Sequence, residues 1–160
     1  DPALILPDLY QPKSQKEKKF KLGVIPHYID LELFLNRFDP EGEKSYLILN
    51  IATNKVEEFI DCLNECEFII SSSLHGLIIA QAYNIPAVWV EFSDKVIGAG
   101  FKFFDFFNSV GIAPYNPPRF LNGKITFYEL MNLERVHKGQ LYINNYDKAD
   151  LYSAIKKIIP

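Results

Sequence analysis

The sequence holds little of what usually advertises chemistry. Its 160 residues include only two cysteines, three histidines, one methionine and one tryptophan. Cys62 and Cys66 stand four apart in a helical pattern, with no histidine or further cysteine nearby, so they make no metal site. They read as reduced, packed thiols of a cytosolic protein. G-x-G-x-x-G, P-loop, H-E-x-x-H and G-x-S-x-G patterns are all missing, which argues against dinucleotide, nucleoside triphosphate, zinc-peptidase and hydrolase chemistry. No apolar run approaches the roughly 20 residues of a membrane helix, and the opening DPALILPDLY lacks the charged start and long apolar core of a signal peptide. Net charge is −3 and the isoelectric point about 5.6, so there is no electrostatic footprint for nucleic acid. The one basic run, Lys13 to Lys21, is interrupted by Glu17 and reads as a solvated linker or loop. The chain does not begin with Met and opens in what reads as an extended segment, as a fragment would.

Apolar residues make up 48% and charged ones 23%, a globular composition on a chain long enough for one domain with a real core. Residues 1–19 read as an irregular lead-in, because Pro2, Pro7 and Pro12 oppose a regular helix. Four short apolar runs predict strands: Phe20 to Pro26, Tyr46 to Asn50, Phe68 to Ser71 and Ala87 to Val90. Between them, helical spacing predicts helices over Ile29 to Phe38, Thr53 to Cys66 (capped by Thr53 or Asn54) and Leu74 to Tyr83. The alternation implies a doubly wound α/β domain with a mainly parallel sheet and helices on both faces, here residues 20–160. Further helices are expected over Phe101 to Val110, Thr126 to Arg135 and Asp147 to Ile159, with a loop at Pro114 to Pro118.

Ligands of open parallel sheets bind beyond the carboxyl ends of the strands, where strand order reverses. The residues at those ends are His27, Tyr28 and Asp30; Asn50; Ser71, Ser72, Ser73 and His75; and Glu91, Ser93, Asp94 and Lys95. The Ser71-Ser72-Ser73-Leu74-His75-Gly76 turn carries most weight. Hydroxyls, first-turn amides and the helix dipole all favour an anion there, and His75 offers a second donor or a proton. Gly76 lets a ligand or a neighbouring strand come close. The plainer alternative, a serine-capped helix with a backbone-bonded histidine, fits the spacing better. Pattern alone makes His27 a core histidine and His137 a surface one. Lys102 and Asp105, three apart among five phenylalanines, form either a local ion pair or a cation over a cleft beside an acid. The phenylalanines read as core, or as the packing face for another domain.

Four blocks together resemble the polysaccharide pyruvyl transferase family: Asp1 to Pro7, Gly23 to Tyr28, Ser71 to Ala80 and Phe101 to Asp105. They stand in the family's order over about two-thirds of the chain. The resemblance implies the C-terminal Rossmann-like half of a glycosyltransferase-B-like enzyme, with residues 1–19 as interdomain lead-in and the N-terminal domain missing. It implies a transferase of capsule or exopolysaccharide synthesis, without resident cofactor, that moves pyruvate from phosphoenolpyruvate to sugar hydroxyls as a ketal. The acceptor would be a sugar or lipid-linked oligosaccharide, and the location cytoplasmic or peripheral to the inner membrane face. Leu74-His75 matches the family's Leu-His pair, which makes His75 the candidate acid or phosphate ligand. Ser71, Ser72, Ser73, Leu74, Gly76 and Lys102 are candidates for binding the donor, and His27, Glu91 and Asp105 for handling protons. Many members carry Arg immediately before Leu-His, where this chain has Ser73. A nucleotide-sugar transferase, with Glu91 on a ribose, and a non-catalytic interaction module are the rival readings.

Overall fold

The computed structural model describes residues 1–13, 18–96, 98–143 and 146–157. Four strands, β1 (Phe20–Ile25), β3 (Tyr46–Ile48), β4 (Cys66–Ser71) and β5 (Ala87–Trp89), form one parallel sheet in the order β3-β1-β4-β5. Strand order therefore reverses between β1 and β4. A second, two-stranded sheet, which the sequence patterns gave no sign of, pairs β2 (Phe38–Asp39) with β6 (Ile125–Thr126).

Both faces of the main sheet are buried, as doubly wound sheets require. On one face Ile25, Ile69, Ala87 and Trp89 pack against helices α3 (Val56–Asn64), α4 (Leu74–Ala82) and α5 (Ala99–Ser109). On the other, Leu22, Val24, Phe68, Ile70, Val88 and Val90 pack against α2 (Leu31–Arg37) and α6 (Phe127–Val136). The phenylalanines of α5 divide. Phe103, Phe106 and Phe107 are core, with Phe103 stacked on Trp89 at 4.2 Å, whereas Phe101 is 79% exposed. The chain closes with α7 (Lys148–Lys156); Ile158 and Ile159 of the expected terminal helix lie outside the described residues.

Several expectations need correction. The first half of the lead-in is not irregular: Pro2–Ile5 makes a 3-10 turn capped by the Asp1 carboxylate, and α1 (Leu6–Leu9) follows it. Pro2 and Pro7 fall in the first two positions of these turns, where a missing N–H costs nothing. Leu4 and Ile5 are buried, and Tyr10 accepts a bond through its carbonyl from the Tyr83 hydroxyl at 2.9 Å. Neither Thr53 nor Asn54 caps α3; the Thr53 hydroxyl instead accepts the Lys55 N–H at 3.1 Å, turning the chain before the helix starts. Cys66 belongs to β4 rather than α3. Its thiol is buried and pushed up to about 12 by desolvation, so it is unreactive packing. Phe38 leaves α2 for β2, and Leu35 is 52% exposed. His137 is half-buried rather than free, with its ring 4.8 Å from that of Tyr115. At the far end of the basic run, the Lys18 ammonium donates to the Asn64 carbonyl at 2.8 Å, a cation meeting the negative end of α3.

The outer edge of β5 is covered. Ala87 N–H donates to the Leu141 carbonyl at 3.1 Å, Trp89 N–H to the Tyr115 hydroxyl oxygen at 2.7 Å, and Glu91 N–H to the Pro118 carbonyl at 2.9 Å.

Gly76 fixes how near α4 lies to the strand ends. A Cβ at this position would stand 2.6 Å from the Ser71 hydroxyl and 2.7 Å from Ile25 Cγ2, both buried. Gly76→Ala is therefore expected to lower unfolding free energy by about 1–3 kcal/mol through overpacking. Chemical denaturation checks this; an unchanged midpoint would show that α4 can move outward freely.

Candidate functional site

Beyond Ile25 and Ser71 the two central strands part, and the crevice they leave is a cleft of about 360 Å³. It is lined by His27, Tyr28 and Ile29 after β1, by Ser72, Ser73, Leu74 and His75 after β4, by Lys95 and Val96 after β5, and by Lys102 and Phe103 of α5. Its size is that of a small-molecule site and its position that of the switch point in an open α/β sheet.

The lining contains two lysines and two histidines but no aspartate or glutamate. To this charge the start of α4 adds backbone polarity. The first intrahelical bond runs from Leu77 N–H to the Ser73 carbonyl, so the amides of Leu74, His75 and Gly76 precede the ladder and have no acceptor within the helix. Ser73 occupies the cap position without using its side chain to cap. Its hydroxyl has no partner among the described residues, although the residue is only 5% exposed. A free hydroxyl beside the open amides of a helix N-terminus adds a donor for an anion in the cleft.

The other two serines are already committed. The Ser71 hydroxyl lies between the carbonyls of Ile25 (3.0 Å) and Ser73 (2.8 Å) and accepts the Ser73 N–H, so Ser71 is the hinge pin of the turn and does not line the cleft. The Ser72 hydroxyl donates to Asp30 Oδ2 and accepts the His27 N–H, each at 2.8 Å. Gly76 packs on Ile25 and Ser71, leaving a strand and not a ligand as its close neighbour.

His75 stands at the cleft mouth, its side chain 66% exposed and its Nε2 3.7 Å from the Asp1 carboxylate. His27 is not a core histidine: it forms the opposite wall, half-buried, with its ring 4.4 Å from that of Tyr28. Desolvation lowers its proton affinity; Asp30 opposes this and Lys102 adds to it. Lys102 lines the cleft, but no ion pair joins it to Asp105, which is exposed and outside the lining. Glu91 lies in an adjoining pocket of about 120 Å³, which shares Ser72 and Val96 with the cleft, and is paired with Arg119 at 2.8 Å.

Asp30 and Lys95 stand at strand ends with no pattern to mark a role, and nothing local in the sequence points to Arg119. Arg119 reaches the site by a return of the chain after α5, which no local pattern signals. Among the described residues no group of three or more His, Cys, Asp or Glu could hold a metal ion.

Similarities to known proteins fall on this region. The model of the family described as polysaccharide pyruvyl transferase matches residues 1–94. An uncharacterized protein of Acanthamoeba polyphaga mimivirus is 30% identical over 113 residues, 70% of this chain and 39% of that protein. Succinoglycan biosynthesis protein ExoV of Rhizobium meliloti is 29% identical over 130 residues, 74% of this chain and 36% of ExoV. The chain thus spans well under half the length of these curated relatives. No solved structure matches it.

The depressed proton affinity of His27 has a consequence for stability. As pH falls, the unfolded chain, with histidine near 6.5, takes up the proton before the folded one does. The contribution of His27 is complete above about 6.5 and is lost as pH falls through the lower folded value. Thermal midpoints are expected to drop between pH 7 and pH 5, and His27→Gln to flatten that drop. An identical slope in the variant would contradict this assignment.

Proposed function

The chain belongs to the polysaccharide pyruvyl transferase family, and from that membership and the charge of the cleft we propose that it binds phosphoenolpyruvate as a pyruvyl donor for sugar hydroxyls. The observation that carries the reading is the acid-free cleft, in which Lys95, Lys102, the Ser73 hydroxyl and the first amides of α4 converge. A ligand with a phosphate and a carboxylate suits such a lining, because each anion gains charge-assisted donors and no carboxylate lines the cleft. Where many members carry Arg, the small Ser73 leaves room, and the charge comes instead from the two lysines.

In this reading the methylene carbon of phosphoenolpyruvate gains a proton while a sugar hydroxyl oxygen bonds to the neighbouring carbon and gives its proton to a base. The bond from that carbon to the phosphate oxygen breaks, a second hydroxyl closes the ketal with loss of its proton, and inorganic phosphate leaves. His75 and His27, both in the cleft lining, are the imidazole groups placed to give and take the protons. The acceptor, a sugar or lipid-linked oligosaccharide, approaches from the open side, which a further Rossmann-like domain of a longer parent protein would face, as in a glycosyltransferase-B arrangement. A nucleotide-sugar donor is less well served, since Glu91, its ribose ligand in that reading, is already held by Arg119.

Ligand titration by thermal shift tests this. Phosphoenolpyruvate at about 100 times its dissociation constant stabilises the chain by about 2.7 kcal/mol, and Lys102→Ala or Ser73→Ala weakens binding about tenfold. A shift with UDP- or GDP-sugars instead would transfer the site to glycosyl donors. No shift with any of them would leave an interaction module.

A further inference from the structure

We infer that Asp30 is a positioning residue for two walls of the cleft, holding the His27 backbone through Ser72 and the Lys95 backbone through Ser93. The inference deepens the donor-site reading and rests on it. Asp30 is 1% exposed, and no cation pairs with it among the described residues. Its two carboxylate oxygens are taken by two hydroxyls: Ser72 donates to Oδ2 at 2.8 Å and Ser93 to Oδ1 at 2.5 Å. Each hydroxyl has one proton to give, and giving it to Asp30 turns the lone pairs of both serines outward.

Those lone pairs are where the cleft walls attach. Ser72 Oγ accepts the His27 N–H at 2.8 Å and Ser93 Oγ accepts the Lys95 N–H at 3.1 Å. Asp30 closes the first loop itself, donating its N–H to the His27 carbonyl at 2.7 Å. One buried carboxylate thus sets the backbone of the segment after β1 through Ser72, which follows β4, and of the loop after β5 through Ser93. His27 Nδ1 accepts the Ile29 N–H at 3.4 Å, which favours the neutral tautomer with the proton on Nε2. The groups facing His27 are Asp30 on its own segment, Tyr28 beside its ring, His75 of α4, Lys95 after β5 and Lys102 of α5.

Asn in place of Asp30 has nearly the same shape but donates on one side, so one serine must reverse. The full chain, labelled with nitrogen-15 on histidine, reports the result by NMR. In Asp30→Asn the His27 midpoint is expected to fall, since a charge favouring the imidazolium is removed, and its Nε2–H signature to give way to a tautomer mixture. Affinity for phosphoenolpyruvate is expected to drop about tenfold. Ser72→Ala, which cuts the His27 branch without touching the carboxylate, is expected to mix the tautomers too and serves if the first variant does not fold. A His27 spectrum and midpoint identical to wild type in a folded Asp30→Asn or Ser72→Ala chain would overturn the inference. If the wild-type chain does not bind phosphoenolpyruvate, the donor reading fails, and the His27 spectrum still decides the role of Asp30.

Discussion

The parallel pairing of β1 with β4 is the constraint from which the rest of the molecule follows. Leu22 stands opposite Phe68 and Ile25 opposite Ser71, so both strands end at one level in the middle of the sheet. Their connections leave toward opposite faces, and the space between cannot be filled by either. The Ser72 N–H still reaches the Ile25 carbonyl at 3.2 Å, and the Ser71 hydroxyl caps the same group, so the parting is abrupt. Helix α4 begins on this shelf because Gly76 lets it, and its unpaired amides are delivered to the crevice by packing rather than by any ligand.

Charge is sorted by depth around that crevice. Three carboxylates nearby are engaged within the protein, Asp30 by two hydroxyls, Glu91 by Arg119 and Asp1 by the Ala3 N–H, while Asp94 stands exposed in the adjoining pocket. Satisfying Asp30 with neutral donors, and not with Lys95 or Lys102, costs the protein an ion pair but leaves both ammonium groups uncommitted. A buried acid paired with lysine would have taken an ammonium group out of the cleft with no net gain in stability to set against it.

What the chain alone disclosed follows from how local each signal is. The four strands and α4 were legible because continuous apolar runs such as Phe68-Ile69-Ile70 have one use, burial on two faces. The crevice residues His27, Ser72, Ser73 and His75 were legible because strand ends are local features and topology says which ends meet. The errors have physical reasons as well. Proline was read as a helix breaker at positions where a first turn tolerates it. His27 was assigned to the core because periodicity cannot tell a wall from an interior. The roles of the three serines were beyond the sequence altogether. Ser71 and Ser72 are engaged by groups more than 40 residues away, and only Ser73 keeps its hydroxyl free.

The sheet's outer border has its own implication. Ala87, Trp89 and Glu91 present N–H groups away from β4, and the atoms that receive them belong to Leu141, Tyr115 and Pro118, all beyond residue 94, where the family match stops. A chain cut at that point would keep all four strands of the main sheet yet carry a bare ladder on its margin, ready to take up a strand from a neighbouring molecule. The C-terminal third therefore protects solubility as much as it shapes the crevice, and relatives that differ there must finish the same border with other residues.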